Sequence, residues 1–576
     1  MPKFKENDSF SFLDEFRGRI FEGEWPTLTE MFDITVERYP NNNCFRQFVP
    51  EDFTLTYKEA KDTIIGLSNY FLSHGATKGD KVALVGKNSV EWAVSYLAIE
   101  YAGCIVVPLD VNMHLEEIES LMKFAEVSYM LTDFSLLNVI NQDNKLNIRN
   151  TLCLEEKGSD KYILNNLEKG PLSDKAIKAN SDDIAAILFT SGTTGTPKGV
   201  MLTHDNLVSD SYKAQENMKL YSTDVFYAIL PIHHAYTMLA VFIVAISVGS
   251  EIVFGKRLVV SQLLKELKDG KVTMFLGVPM LFNKLLAGLL DGVKKKSLIL
   301  YGLIRFLMGI SGLIKKVFKK NVGHKMFGFL LKQISLDTNR ICISGGGPLP
   351  ASTFKMFNEL GIDFVQGYGL TETSPITHLN PVEAYIESSV GKLIPTLEQK
   401  IVNPDSDGNG IIYLKGSVIM KGYYNNEEAT KDVLGEDGWF NTGDVGHIDR
   451  NGYLYLTGRA KSIIVTEGGK NVFPEEIEDH FQLYNEISQI CIIGYDKNPA
   501  MKIEGIKAII LPTETFLEEM ENDMKRIKIK MECIVDEVNK ELKTYQKIEK
   551  LTIATEELPS TSTKKIKRYE VKKLYR

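Results

Sequence analysis

The six cysteines, Cys44, Cys104, Cys153, Cys342, Cys491 and Cys533, are scattered so widely that no CxxC pair forms. That excludes the usual zinc and dithiol motifs and fits a reducing cytoplasm. The opening residues MPKFKENDSF carry no apolar core of the kind a signal peptide needs, so none is expected. Positive charge is in deficit: 67 Lys and Arg face 75 Asp and Glu, a net of -8, which argues against a general nucleic-acid binder. Internal repeats and low-complexity tracts are missing. Long apolar runs are scarce as well. Residues 238–249 are too few to cross a bilayer and follow Pro231 and the His233–His234 pair. Residues 297–314 are interrupted by Arg305, glycines and serines, so they suit a surface-seeking or buried helix better than a span.

What remains is an ordinary globular composition, 44% hydrophobic and 25% charged, over 576 residues, enough for three or four domain-sized units. Short apolar runs alternate with helix-like stretches through the first 180 residues or so. LTYKEAKDTIIGLSNYFLSHG has apolar residues at helical spacing, KVALVGKN reads as a strand, and EWAVSYLAIEYAGCIVVPLD as helix then strand. The rhythm returns in DIAAILFTSG and RICISGGG, each a buried-strand pattern ending in glycine. Such alternation implies βαβ units and parallel sheets covered on both faces. From about residue 385 short strand-like pieces and Gly, Asn and Asp turns suggest a small β-rich part. Beyond Gly458 the pattern is mixed α and β, and a boundary is expected between 458 and 461.

The strongest chemical signal is TSGTTGTPKG, residues 190–199, directly after the apolar strand DIAAILF. Its three glycines let backbone approach a phosphate, its hydroxyls donate hydrogen bonds, and Lys198 adds positive charge. It lacks the spacing of a Walker loop. This segment resembles the phosphate loop of the superfamily of acyl- and aryl-CoA synthetases, peptide-synthetase adenylation domains and luciferases. SGGGPL (344–349), QGYGLTET (366–373), WFNTGD (439–444), GRAK (458–461) and GGKNVFPEEIE (468–478) are similar to that family's later motifs, in its order and at compatible spacing. The resemblance runs from about Tyr57 to Arg568 and is nearest to long-chain fatty acyl-CoA synthetases. It implies an α/β fold: a large N-terminal domain, 1–458, of two α/β sheets with a β-rich subdomain at about 385–458, then a small mobile α+β domain, 459–576, hinged at Lys461.

The resemblance also implies roles. Thr190, Ser191, Gly192, Thr193, Thr194 and Lys198 would hold ATP phosphates. Gly345, Gly346 and Gly347 with Gln366, Gly367, Tyr368 and Gly369 would form the adenine pocket, the phenol stacking on the base. Thr371 would contact the α-phosphate, and Glu372, with help from Thr190, would bind Mg²⁺. Taken alone, TET reads as a helix cap, TGD as a turn and GR as a strand end. Within the family pattern Asp444 would take the ribose hydroxyls and Arg459 would support the ribose or phosphate, the two reaching the ligand from two loops. PSTSTKKIKR, residues 559–568, resembles the segment bearing the catalytic lysine, which alignment puts at Lys565; it departs in having Lys564 for glycine and Ser560 for the first lysine, so Lys564 and Lys567 compete for the assignment. Gly468 and Gly469 would line the tunnel for coenzyme A. His234 would sit beside the substrate carboxylate, with Tyr236, Gly277 and Gly367 in the acyl pocket, while His233, pointing away on a strand, would be structural.

The implied reaction is ATP-dependent activation of a fatty acid, with long-chain acids expected, to acyl-AMP and then acyl-CoA. An acyl-AMP ligase loading an acyl carrier protein, an aryl-CoA ligase, and an inactive nucleotide- or lipid-binding protein are the alternatives. No charged residue in FLGVPMLF (275–282) would bind an amino group, which disfavours amino acids. Residues 292–332 carry Lys294, Lys295, Lys296, Arg305, Lys315, Lys316, Lys319, Lys320, Lys325 and Lys332 and no acidic residue, with large apolar residues between. The segment reads either as contact with an anionic membrane, here the inner face, or as packed helices with solvated lysines. A homodimer is a candidate assembly.

Overall fold

The structure is a computed structural model and describes residues 25–143, 148–190, 197–256, 259–466, 470–498, 503–560 and 566–575. The chain divides into two compact units. The first comprises residues through Gly346 with Thr353–Glu398 and Leu414–Phe440; the second comprises Gly347–Ser352, Gln399–Tyr413 and the chain from Asn441 onward. The boundary expected at 458 therefore falls inside the second unit. The reason is local: Phe440–Ile448 and Tyr453–Arg459 form one antiparallel hairpin, and a side chain at Gly458 would meet Phe473 and Glu475 of the following segment.

The first unit contains two α/β sheets, as the alternating pattern implied. One runs in the order Gly422–Tyr423, Lys198–Thr203, Ile184–Thr190, Ile105–Leu109, Lys81–Val85, Val127–Thr132, Asn150–Cys153. Its middle is parallel, and Ile184–Thr190 and Lys198–Thr203 close it as an antiparallel hairpin. The strand Lys81–Val85 is reached from a helix, Tyr57–Ser73, that begins one residue after a strand, Phe53–Thr56. The LT of the helical-looking LTYKEA is therefore strand. Thr56 switches the chain to helix by a capping box in which Thr56 and Glu59 satisfy each other's backbone N–H. The helix Val90–Tyr101 is buried on all sides between the sheets, which explains its lack of a polar face.

The other sheet of this unit is parallel through Asn43–Gln47, Glu251–Phe254, Val225–Ala228, Met274–Gly277, Ile341–Ser344 and Asp363–Tyr368. The apolar run 238–249 is a buried helical segment with a π turn at Met238–Ile243, ending at Gly249 in the left-handed region, where a side chain would meet Tyr39. The helix Leu298–Phe318 is the one described helix long and apolar enough to cross a membrane.

In the second unit, Ile487–Asn498, Ile503–Pro512 and Lys550–Ile553 form a mixed sheet. One face packs on the helix Met524–Glu541 through Ile527, Met531 and Ile534, the other on Leu558 and Val571. Arg568 ties this unit together. Its guanidinium donates to Glu475 Oε1 at 2.6 Å, to both Glu478 oxygens at 2.7 Å and to the Ile492 carbonyl at 3.1 Å. Burial pushes the Glu478 carboxyl up to about 7 even against the attraction of Arg568. Replacing Arg568 by Met leaves two glutamates crowded without a counter-charge, so the stability of this unit should fall by about 3 kcal/mol in denaturant titration. An unchanged midpoint would mean the cluster is solvated.

Candidate active site

Three parallel strands deliver the candidate nucleotide-site residues of the first unit at their carboxyl ends, the edge at which open α/β sheets bind ligands. Gly277, Ser344 and Gln366 are cross-strand partners at that edge. Gly345 follows, its N–H donating to the Gly277 carbonyl at 3.2 Å, and Gly346 has a φ of +80° that other residues rarely adopt. The buried Ser344 hydroxyl has no hydrogen-bond partner among the described residues.

Gly345 is needed for a reason not visible in the chain order. A side chain there would come within 2.8 Å of the Tyr236 ring, whose hydroxyl donates to the Ile343 carbonyl at 3.1 Å. Tyr236 thus packs against the glycine segment expected to hold adenine. At Gly277 the direction a side chain would take is filled by Phe282, at 2.9 Å, and at Gly367 by the His378 carbonyl, at 3.1 Å. Neither missing side chain leaves an opening there for an acyl chain.

The segment after Gln366 turns back on itself. A Cβ at Gly369 would lie 1.5 Å from the Pro375 carbonyl oxygen, so only glycine permits the turn. Thr371–Thr373 then forms a single 3₁₀ turn, with the Thr373 hydroxyl accepting from the Leu370 N–H at 2.9 Å. The N-cap is therefore Leu370 and TET is the turn itself, with Thr371 and Glu372 half-buried. Tyr368, at the strand end, is half-buried beside His378, ring centroids 5.7 Å apart.

Glu372 is joined to the phosphate-loop hairpin by Tyr423, which the sequence reading missed. The Tyr423 hydroxyl donates to Glu372 Oε1 at 2.9 Å, and Lys198 Nζ stands 4.5 Å over its ring. Burial first, then the Glu372 charge, pushes the Tyr423 hydroxyl up, so it stays a donor. Lys198 is the cross-strand partner of Thr190, and Tyr423 pairs with Val200 in the same sheet. Thr190, Lys198, Tyr423 and Glu372 therefore form one connected set. Ser191, Gly192, Thr193 and Thr194 lie outside the described residues.

One helix, His204–Lys213, holds this set from behind. Asn206 Nδ2 donates to the carbonyls of Ser417 and Ile419 at 2.6 and 3.1 Å, and Asp210 accepts from the Ile376 N–H at 2.9 Å. A single carboxylate, Glu372, half-buried and with one oxygen already oriented, fits Mg²⁺, which takes its other ligands from phosphates and water. Among the described residues no three His, Cys, Asp or Glu cluster as an all-protein metal cage.

The histidine segment is not a strand. Residues 231–234 form a turn, the His234 N–H donating to the Pro231 carbonyl at 3.2 Å, before the helical Ala235–Thr237. His233 and His234 therefore do not point oppositely; their rings lie 4.3 Å apart. Asn88, just beyond the strand Lys81–Val85, pins the turn. Its amide donates to the carbonyls of Ala228 and Leu230, both at 2.8 Å, and accepts from the Ile232 N–H at 2.9 Å. Burial lowers both imidazoles, and with the help of His234 it pushes His233 down to about 3 despite Asp110 nearby.

In the second unit Asp444 and Arg459 face each other across the hairpin, Arg459 Nε 2.9 Å from Asp444 Oδ1. They stand on paired strands, not on the two separate loops expected. Gly443, within the strand, has φ +69°, and the Thr442 hydroxyl accepts from the Asp444 N–H at 3.1 Å. Lys461 is exposed in the 3₁₀ turn Ala460–Ser462. Gly347 is exposed in the short piece that groups with this unit. Gly468, Gly469, Lys564 and Lys565 lie outside the described residues. The flanks of the lysine segment are joined by a bridge between Ser560 and Ile566 and by the Lys567 N–H donating to the Pro559 carbonyl at 2.8 Å.

A histidine whose folded pKa lies below its ordinary 6.5 is neutral in the native state, and the unfolded chain takes up the proton first as pH falls. Its stabilising contribution is complete above about pH 6.5 and is lost progressively toward about 3. His233→Asn should therefore lose stability less steeply than the parent between those values, by up to about 1.4 kcal/mol per pH unit in urea titrations. Parallel slopes would show that His233 is protonated in the fold.

Comparison with known proteins agrees with this architecture. The AMP-binding enzyme family profile matches residues 32–424, and that of the AMP-binding enzyme C-terminal domain matches 461–576. A chloroplastic long-chain-fatty-acid–[acyl-carrier-protein] ligase of Arabidopsis thaliana is 26% identical, covering 92% of this chain and 81% of its own. A long-chain-fatty-acid–CoA ligase of Bacillus subtilis is 26% identical over 84% of this chain and 85% of its own. Among solved structures, o-succinylbenzoate coenzyme A synthetase of Bacillus subtilis in complex with ATP and magnesium ion superposes with a TM-score of 0.73, at 22% identity, over 94% of this chain and 99% of that one. With both profiles matched in order and the larger spanning most of the chain, this protein belongs to the AMP-binding enzymes.

Proposed function

We propose that the chain is an acid–thiol ligase that activates a fatty acid, long-chain by preference, as acyl-AMP and passes the acyl group to coenzyme A. The observation that carries the reading is the connected set Thr190–Lys198–Tyr423–Glu372, which gathers a hydroxyl, a cation and an oriented carboxylate at the phosphate-loop hairpin. The names of the two relatives, both long-chain fatty acid ligases, support the substrate class.

In this reading a carboxylate oxygen of the acid attacks the α-phosphorus of ATP and pyrophosphate leaves. No covalent nucleophile on the protein is needed; alignment and charge stabilisation supply the acceleration. Lys198 draws the phosphates to the hairpin, and Thr371 donates to the α-phosphate. Glu372, with Thr190 beside it, would hold Mg²⁺, which would supply positive charge against the phosphates. Tyr423 fixes the rotamer of Glu372 by its hydrogen bond and supports Lys198 through its ring. His234, kept neutral by burial, orients the carboxylate without pairing with it as a cation. Asp444 takes the ribose hydroxyls, Lys565 stabilises the charge developing at phosphorus, Lys461 is the hinge and Gly468–Gly469 line the thiol path, all four roles carried by the resemblance. The thiol then attacks the acyl carbonyl and AMP departs.

The Arabidopsis relative's name favours a second acceptor, the thiol of an acyl carrier protein. Pyrophosphate and thioester formation should be followed across fatty acids of rising chain length, with coenzyme A or with holo-acyl carrier protein. A coenzyme A thioester that peaks with long chains and disappears in Lys565→Ala supports the ligase as proposed. A thioester on the carrier protein alone moves the acceptor, and turnover with no acid at all removes the reading. Tyr423→Phe keeps the ring beside Lys198 but frees Glu372, so the Mg²⁺ requirement for pyrophosphate release should rise by roughly 10- to 100-fold. An unaltered Mg²⁺ dependence would detach Glu372 from the metal.

A further inference from the structure

The helix Leu298–Phe318 is mounted with Ser311 and Lys315 among its inward residues. Its buried residues Ile304, Met308, Ser311 and Lys315 recur at helical spacing and form the face against the first unit. Lys315 is the anchor: Nζ donates to Asn358 Oδ1 and Asp363 Oδ1, both at 2.7 Å, and to the Ile362 carbonyl at 3.2 Å. Lys319 Nζ adds a bond to the Glu383 carbonyl at 2.7 Å. The next helix, Gly323–Leu331, seats tightly beside it, for a side chain at Gly323 would meet the Ser311 hydroxyl at 2.6 Å and the Glu359 carbonyl at 2.7 Å.

The opposite face is apolar and open. Ile299 is 86% exposed, Leu303 52%, Phe306 66%, Leu313 63% and Val317 60%, and Phe329 of the following helix is 59% exposed. These five residues of Leu298–Phe318 fall on one side of a helix about 30 Å long, at 1.5 Å per residue. A contiguous strip of this kind marks an interaction surface. Its ends are basic: Lys294, Lys295 and Lys296 close the preceding helix, Pro279–Lys296, and Lys320 and Lys325 follow, all exposed. No acidic residue occurs anywhere in 292–332.

We propose that this face seats the protein on an anionic lipid bilayer, the helix lying in the plane of the headgroup–acyl boundary and the lysine clusters at both ends meeting lipid phosphates. The charge pattern selects this occupant. Two copies of the face, paired parallel or antiparallel, bring lysine clusters together with no carboxylate of the segment to separate them. A transmembrane path would strip Lys315 from Asp363 and Asn358, so the helix lies on the membrane and does not cross it. The proposal stands on the helix alone and is independent of which acid is activated.

The test is flotation of the full-length protein with vesicles of phosphatidylcholine, with and without phosphatidylglycerol, beside gel filtration without lipid. Flotation with the anionic vesicles, weakened by salt, is expected. Leu303→Ser with Phe306→Ser should cut partitioning on those vesicles by roughly tenfold or more. Lys294→Gln, Lys295→Gln and Lys296→Gln together should cut it by about 100-fold on anionic vesicles and little on neutral ones. Both variants alter exposed side chains, and adenylation of a short soluble acid reports that they remain folded. Absence of wild-type flotation, or partitioning unchanged in both variants, overturns the proposal. So does a lipid-free dimer that the Leu303–Phe306 variant dissociates while flotation is absent, which would assign the face to a second copy.

Discussion

Glu372 reaches its position because the chain just before it is folded back so tightly that nothing larger than hydrogen fits on Gly369, whose Cβ would lie 1.5 Å from the Pro375 carbonyl. The turn aims the carboxylate at Tyr423, and Tyr423 in turn lies under Lys198. A carboxylate and an ammonium are thereby held at one hairpin with an aromatic ring and a phenolic hydroxyl between them. Both charges are thus supported by one side chain, Tyr423, through its hydroxyl and its ring. The helix His204–Lys213 supports both halves, since Asn206 holds the segment leading to Tyr423 and Asp210 holds the segment leaving Glu372.

Burial sets the electrostatics of the surrounding groups. His233 and His234 stand side by side, and two cations so close in a buried place would repel, so both are neutral. Asp210 is raised by the same desolvation, against the Ile376 N–H it accepts and the attraction of Lys213. In the second unit the opposite solution appears: Glu475 and Glu478 are crowded together, and Arg568 answers both. Charge is tolerated in these interiors where a fork of donors meets it and is suppressed elsewhere.

The parallel sheets and the glycine-rich turns were legible because their causes are local. A buried strand ending in glycine looks the same in sequence and in structure, as Ile341–Ser344 with Gly345 demonstrates. The supporting residues were not legible, because their partners are far along the chain. Tyr423 and Glu372 are 51 residues apart, Asn88 and the Ala228 carbonyl 140, Asp210 and Ile376 166, and Asn206 and Ser417 211. No periodicity marks such residues, and each is an ordinary Tyr, Asn or Asp near a strand or helix end. The His233–His234 segment, expected on a strand, differs for a related reason: the distant Asn88 binds three backbone groups there and holds a turn.

By itself the sequence determined the family motifs, their order, the α/β class and the positions where backbone must pass without a side chain, since those follow from chain stereochemistry and from the period of apolar residues. It also carried the basic, acid-free stretch 292–332. Only the tertiary structure decided which face of Leu298–Phe318 is outward. The apolar residues of that helix surround most of its circumference, and it is the distant Asp363 and Asn358 that draw Lys315 inward and leave Phe306 and Leu313 open. The same holds for the candidate site: motif order supplies Lys198 and Glu372, but their connection requires a third segment, at Tyr423, that tertiary pairing brings to the hairpin of Ile184–Thr190 and Lys198–Thr203.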